Sequence, residues 1–148
     1  MSNDGSRVLI IANKTLGGTE MLEWVGRANT PAGSASFYLL VPATPVGESF
    51  WEHGDYRRVA GVEQARQVLQ EGLRLISELG ADVDGEVGEA DPVDAFRVLL
   101  DRGLSFDQIL LSTFTSGLSR WLRLDVPHRL GRITDVPIEH IQGEVAVS

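Results

Sequence analysis

Residues 8–12 read Val-Leu-Ile-Ile-Ala and are apolar at every position. The run is too short for a helix, and a strand that is apolar on both faces is typical of one buried inside a parallel sheet. A second apolar run, Ser-Phe-Tyr-Leu-Leu-Val, occupies residues 36–41 and ends at Pro42. Both runs predict strands of a sheet that is covered by helices.

Helical patterns follow these strands. Apolar residues recur three and four positions apart from Val62 to Leu79, and Gly80 supplies a stop. A shorter apolar stripe over residues 20–28 predicts another helix. Asp91-Pro92 is a typical helix start, with a capping aspartate and a proline in the first turn.

Three further strands are predicted. Residues 83–87 alternate apolar and polar side chains, which indicates a strand with one face toward water near the margin of the sheet. Residues 106–111 and 138–142 give the other two strands. Residues 42–60 form a long, aromatic-rich connection that we expect to be a partly ordered flap over the sheet edge.

The predicted order is β-α-β-α-β-α-β-α-β, with helical pieces between the last two strands over residues 119–130. Because crossovers between parallel strands are right-handed, this order places helices on both faces of one sheet. The sequence therefore predicts an α/β fold with a five-stranded, parallel, doubly wound sheet of the flavodoxin or Rossmann type. We expect one domain over residues 7–142, a disordered N-terminus over residues 1–6 and a tail over residues 143–148.

Composition excludes several classes of protein. The chain has 148 residues, 43% of them hydrophobic and 23% charged, as expected of one globular domain. It has no cysteine, which excludes disulfides and a cysteine nucleophile and suits a reducing cytoplasm. The net charge of −8 argues against nucleic acid and anionic membranes as partners, and no apolar run is long enough to span a membrane. We therefore expect a cytoplasmic protein.

Ligands of open α/β sheets bind beyond the carboxyl ends of the strands, where the winding direction changes. Residues 13–19, 41–44 and 112–119 are predicted to meet there. The third segment, a predicted turn and helix N-terminus, carries five hydroxyl side chains around Gly117. Backbone N–H groups and the helix dipole favour a phosphate at such a place, but serine, threonine and glycine are equally common in ordinary turns.

Four stretches carry a family resemblance. They are residues 8–13 (Val-Leu-Ile-Ile-Ala-Asn), 85–95 (Gly-Glu-Val-Gly-Glu-Ala-Asp-Pro-Val-Asp-Ala), 107–120 (Asp-Gln-Ile-Leu-Leu-Ser-Thr-Phe-Thr-Ser-Gly-Leu-Ser-Arg) and 134–140 (Thr-Asp-Val-Pro-Ile-Glu-His). In this order they resemble a universal stress protein domain, from about Arg7 to Gln142. The resemblance implies a five-stranded parallel sheet, a dimer and, in some members, binding of ATP or AMP.

Nucleotide-binding members of that family carry the pattern Gly-x2-Gly-x9-Gly-Ser/Thr after the fourth strand. Here Ser112 and Thr115 replace the first two glycines, and the last pair falls on Leu124-Asp125 or Asp125-Val126. Glycine lets the backbone approach a phosphate, whereas Asp125 would bring a negative charge toward it. We therefore expect a triphosphate to bind poorly.

The leading prediction is a regulatory domain that weakly binds an adenine nucleotide, ATP or AMP, or a small anion, without covalent chemistry. Asn13 stands where nucleotide-binding members carry an aspartate, and Val41 matches a position that contacts the base through its backbone. The predicted ligand-binding residues are Asn13, Val41, Ser112, Thr113, Ser116, Gly117, Ser119 and Arg120. The rival prediction is a nucleotide-independent protein-interaction module of a stress response, dimeric through the terminal strand over residues 137–142.

No catalytic or metal site is predicted. His53, His128 and His140 lie in three different elements and lack the spacing of metal ligands. Ser116 and Ser119 have no base visible in the sequence and no Gly-x-Ser-x-Gly elbow. We therefore do not expect an enzyme.

Overall fold

The computed structural model describes the chain over residues 6–12, 19–31, 33–43, 54–89, 91–114 and 125–143. The strands are β1 (Ser6–Ala12), β2 (Ala35–Pro42), β3 (Asp82–Gly88), β4 (Gln108–Phe114) and β5 (Ile138–Gly143). The helices are α1 (Thr19–Ala28), α2 (Gly54–Glu78), α3 (Pro92–Asp101) and α4 (Val126–Ile133). Strands and helices alternate along the described residues, as the sequence predicts.

The five strands form one sheet in the order β3-β2-β1-β4-β5, and every pair is parallel. The apolar first strand lies at its centre, where Ile10 pairs with Leu39 on one side and Leu110 on the other. The chain winds outward from β1 to β3 and then crosses to β4 and β5. The predicted doubly wound sheet is therefore confirmed, and so is the place of β3 at its margin.

Each face of the sheet has its own apolar layer. Side chains of β1 alternate between the two layers, with Leu9 and Ile11 in one and Val8 and Ile10 in the other. Burying a side chain of this size stabilises the fold by about 1.5–3 kcal/mol, so both layers contribute strongly. The first layer takes Phe96 and Leu99 of α3 with Val126 and Leu130 of α4, and the second takes Met21, Trp24 and Val25 of α1 with Ile76 of α2.

Two glycines let β3 receive a helix on each face. A Cβ on Gly85 would lie 2.9 Å from Leu69 Cδ1 of α2, and 2.6 Å from the carbonyl oxygen of Leu39. A Cβ on Gly88 would lie 2.8 Å from Ala95 Cβ of α3. All three contacts are closer than real Cβ atoms approach, so a larger residue at Gly88 would press against α3, and one at Gly85 would press against α2 and the backbone of β2.

The start of α2 differs from the sequence prediction. The long helix α2 begins at Gly54, so the predicted connection over residues 42–60 is wrong for residues 54–60. The apolar stripe starts only at Val62, but a helix can continue beyond its buried stripe because residues such as arginine and alanine favour it on their own. The predicted flap over residues 44–53 lies outside the described residues.

The second difference concerns β4. The sequence predicts a strand that ends at Leu111 and a turn that starts at Ser112, but residues 112–114 continue the strand and pair with residues 141–143 of β5. Threonine and phenylalanine fit a pleated strand well, and sheet pairing outweighs the turn tendency of serine. At the chain ends, β1 includes Ser6 and β5 includes Gly143, one residue beyond the predicted domain at each end.

Candidate functional site

The winding direction of the sheet changes between β1 and β4. Their carboxyl ends lie side by side, and Ala12 of β1 pairs with Ser112 of β4. After β1 the chain continues to α1 on one face, whereas after β4 it continues toward α4 on the other. Connections that leave on opposite faces open a crevice outside the strand ends, and ligands of open α/β sheets bind in such a crevice.

Val41 lies near this edge, at the end of β2. It is fully buried and packs in a small apolar cluster with Ala43 and with Ala65 of α2. The N–H of Ala43 donates to the carbonyl oxygen of Gly88 at 3.1 Å, and backbone directions alternate along a strand. The N–H and C=O of Val41 therefore point toward β3, within the sheet ladder. Its predicted contact with a base stays a prediction.

Ser112 lies inside β4, not in a turn. It pairs with Ala12 on one side and Ile141 on the other, and only 1% of the residue is exposed. Because side chains alternate along a strand, its hydroxyl lies on the same face as Leu110, beneath α1. Its strand neighbours on this face, Ala12 and Ile141, belong to the same apolar layer, so Ser112 is part of the core.

The other predicted ligand residues are only partly described. Thr113 has its backbone in β4 and pairs with Gln142. The remaining predicted residues lie outside the described part of the chain: Asn13, Ser116, Gly117, Ser119 and Arg120. Of the predicted set, the structure therefore places Val41, Ser112 and Thr113 at the carboxyl side of the sheet, on β2 and β4.

Asp91 joins α3 to α4 beside this edge. One carboxylate oxygen accepts the N–H groups of Val93 at 2.8 Å and Asp94 at 3.3 Å, which confirms the predicted helix cap. The other oxygen accepts a hydrogen bond of 3.0 Å from the guanidinium of Arg129 in α4. The sequence gives no signal for this second contact, because the two residues are 38 positions apart.

The ionised form of Asp91 is favoured by these bonds. Partial burial alone would raise its pKa, but the bonds from Arg129 and from the N–H groups of Val93 and Asp94 outweigh burial and lower the pKa below its usual value of 3.8. Asp91 is therefore a negative charge that is already neutralised by Arg129.

Asp125 stands at the start of α4 in an unusual conformation. Its φ of 55° and ψ of 41° are left-handed, and its side chain makes no capping bond to the helix. The carboxylate lies 3.0 Å from Nδ1 of His128 and is largely exposed. Glycine adopts this conformation at the least cost, so of the two alignments left open by the sequence, the one that sets Asp125 at the last glycine fits the backbone.

Other kinds of site find little support in the described residues. No group of three or more histidine, aspartate or glutamate side chains that could hold a metal ion occurs there. Within the same part of the chain, no helix is both long and apolar enough to cross a membrane. His128 lies on α4 and His140 on β5, and partial burial lowers the pKa of His140.

The fold matches solved structures over almost the whole chain. It is similar to a universal stress protein solved in complex with cAMP, at 22% identity and a TM-score of 0.55, over 93% of this chain and 98% of that one. The chain has the universal stress protein fold. The predicted resemblance is thereby confirmed at the level of the fold.

Two further universal stress proteins support this assignment. One is from Archaeoglobus fulgidus, with 14% identity, a TM-score of 0.58 and coverage of 92% of this chain and 93% of that one. The other is a family protein from Burkholderia pseudomallei, with 17% identity, a TM-score of 0.59 and coverage of 92% and 95%. No family model and no curated protein sequence matches the chain.

Proposed function

We propose that this chain is a universal-stress-protein-like regulatory domain that binds an adenine nucleotide weakly at the carboxyl edge of its sheet. The ligand would lie in the crevice outside β1 and β4 and be held by backbone N–H groups and hydroxyls. The domain would act by binding and would catalyse no covalent step. Its ligand-dependent state would then be passed to a partner protein in the cytoplasm.

One observation carries this proposal. A protein with the same fold over 93% of this chain was crystallised with cAMP, which is an adenine nucleotide. The reversal of winding between β1 and β4 supports the same location, because it creates the crevice that this fold class uses for ligands.

The phosphate charge of the ligand is expected to matter. In the alignment that sets Asp125 at the last glycine of the family pattern, its exposed carboxylate stands where the resemblance implies a glycine in nucleotide-binding members. A negative charge there repels each phosphate that comes near it, and the repulsion grows with the number of phosphate charges. We therefore propose that AMP and cyclic AMP bind more tightly than ATP.

Thermal unfolding in the presence of AMP, cyclic AMP, ADP and ATP tests the proposal. A ligand that binds only the folded chain stabilises it by about 2.7 kcal/mol at 100 times its dissociation constant. For a chain of this length that corresponds to a rise of roughly 5–11 °C in the melting temperature. With a dissociation constant of about 0.1 mM, about 10 mM nucleotide gives this rise. No rise with any of the four nucleotides at that concentration would refute nucleotide binding.

A matched pair of variants locates the site. Gly117→Asp brings a carboxylate into the predicted phosphate cradle and is expected to abolish the rise with AMP. Gly131→Asp makes the same chemical change on an exposed part of α4 where a Cβ meets nothing within 4 Å, and is expected to keep it. Unchanged binding in Gly117→Asp would show that the nucleotide lies elsewhere.

The rival function also has a specific observation in its favour. β5 forms one edge of the sheet, and its outer side is not paired with another strand in the described part of the chain. An exposed edge is a ready template for pairing with a second copy. A nucleotide-independent dimeric module would be a dimer by light scattering at micromolar concentration with and without AMP, and a monomer under both conditions would exclude it.

A further inference from the structure

The opposite edge of the sheet is formed by β3, and its outward backbone groups can be assigned. The carbonyl oxygen of Gly88 accepts from Ala43 of β2, so the backbone of Gly88 points inward. In a parallel pair the N–H and C=O of one residue point the same way and alternate along the strand. The outward groups of β3 therefore belong to Val83, Gly85 and Val87.

Of these three residues, Gly85 already has a partner for its N–H. The N–H of Gly85 donates to a carboxylate oxygen of Asp84 at 2.8 Å, and Asp84 is exposed. A strand that added to this edge would need the N–H of Gly85 for its own ladder, and it would have to displace the carboxylate first. The bond therefore competes directly with strand addition.

Negative charge on β3 also opposes pairing with another strand. Asp82, Asp84 and Glu86 alternate along β3 and share one face of the sheet. Only Glu86 of the three has an ion-pair partner among the described residues, in Arg102 at 2.5 Å. If the same strand of a second copy paired here, acidic side chains would face acidic side chains, which destabilises a pair of strands.

We propose that Asp84 guards β3 against pairing with β3 of a second copy of this chain. The guard is the hydrogen bond that the N–H of Gly85 donates to the carboxylate, and the surrounding negative charge is secondary. A sheet edge with free backbone groups can pair with another copy, and two such edges allow copies to add without limit. The bond of Asp84 protects one of the two edges of this sheet. The inference depends neither on nucleotide binding nor on pairing through β5.

Three variants separate the hydrogen bond from the charge. Asp84→Ala removes both the acceptor and the charge. Asp84→Asn keeps an acceptor oxygen and removes the charge. Asp82→Ala removes one exposed charge from the same strand and leaves the bond to Gly85 in place. Mass is measured by size-exclusion chromatography with light scattering from micromolar to millimolar concentration, and far-UV circular dichroism checks folding.

Asp84→Ala is expected to at least double the mass of the wild-type species at the highest concentration, whereas Asp84→Asn and Asp82→Ala keep the wild-type mass. A wild-type mass for Asp84→Ala overturns the proposal. An increase in Asp82→Ala equal to that in Asp84→Ala also overturns it, because general repulsion and not the capped amide would then be the guard. If Asp84→Ala does not fold, Asp84→Val replaces it, since valine also lacks an acceptor and favours a strand.

A single cysteine shows which edge has associated. The chain has no cysteine of its own, so Asp82→Cys introduces one thiol on β3. With a bifunctional maleimide long enough to span several strand residues, we expect cross-linked dimers of the Asp82→Cys/Asp84→Ala double variant and at most a tenth as much from Asp82→Cys alone. Equal cross-linking in the two, or none in the double variant, overturns the assignment to β3.

Discussion

Replacing Asp91 by alanine should weaken the fold by an amount that follows from its contacts. The change removes the cap bonds to the N–H groups of Val93 and Asp94 and the 3.0 Å ion pair with Arg129. Loss of a side-chain cap costs about 1 kcal/mol. A partly exposed ion pair contributes about 0.5–1 kcal/mol. We therefore expect Asp91→Ala to lower the free energy of unfolding by about 1.5–2 kcal/mol.

Asp91→Asn separates the two contributions. Asparagine caps a helix as well as aspartate does, so this variant keeps the cap and loses the charge, at a cost of about 0.5–1 kcal/mol. Urea denaturation at neutral pH measures the free energy of unfolding of both variants. In thermal unfolding, the alanine variant should melt roughly 3–8 °C lower than the wild type. If Asp91→Asn destabilises as much as Asp91→Ala, the cap bonds contribute nothing and the reasoning is refuted.

The difference in stability between the wild type and Asp91→Asn should depend on pH. Because the bonds of Asp91 lower its pKa in the folded chain below the unfolded value of 3.8, its charge stabilises the fold fully above that pH. This contribution is lost as the pH falls through the lower, folded value. The stability advantage of the wild type over Asp91→Asn should therefore be constant from about pH 7 to about pH 5 and shrink toward about pH 2. An advantage that instead grows on acidification would contradict the lowered pKa.

Two other substitutions test the packing of β3 and the start of α4. Gly88→Ala should destabilise the chain by about 1–3 kcal/mol in urea, since its Cβ would meet Ala95 at 2.8 Å. The control Gly131→Ala adds a Cβ in open space on a helix and should stabilise the chain by up to about 1 kcal/mol. Equal effects would contradict the close approach of α3. Asp125→Gly should increase the thermal shift produced by AMP, because it removes the exposed charge and suits the left-handed backbone. An AMP shift no larger than that of the wild type would show that Asp125 does not oppose binding.

The fold could be predicted because strong local signals agree with one another. The apolar run over residues 8–12 predicts a strand buried on both faces, and β1 lies at the centre of the sheet. The predicted helix stop Gly80 has a positive φ of 81°, and Gly103 after α3 has one of 86°, which glycine adopts without strain. Asp91 caps α3 as its position before Pro92 predicts. Each of these signals depends on residues that are neighbours in the sequence.

The start of α2 and the end of β4 were predicted wrongly. Both depend on more than the local residue pattern. Residues 54–60 show no apolar period, and their helical state follows from continuity with the helix after them. Residues 112–114 carry turn-forming and strand-forming residues together, and the pairing of β4 with β5 decides between them. That pairing joins segments about 30 residues apart, so no local pattern contains it.

Asp91 and Asp125 show how far sequence reasoning reaches into the candidate site. Each aspartate precedes a helix that has a proline in its first turn, so the same start signal stands in both places. Asp91 has extended backbone angles, with φ of −84° and ψ of 122°, and its carboxylate reaches the first N–H groups of α3. The left-handed backbone of Asp125 turns its carboxylate toward His128, and the side chain caps nothing. The two aspartates differ in their backbone angles, which the shared start signal does not determine. Asp91 is therefore a structural residue whose charge Arg129 neutralises. Asp125 adds an exposed negative charge beside the proposed ligand, and Asp125→Gly is the variant that measures the effect of this charge.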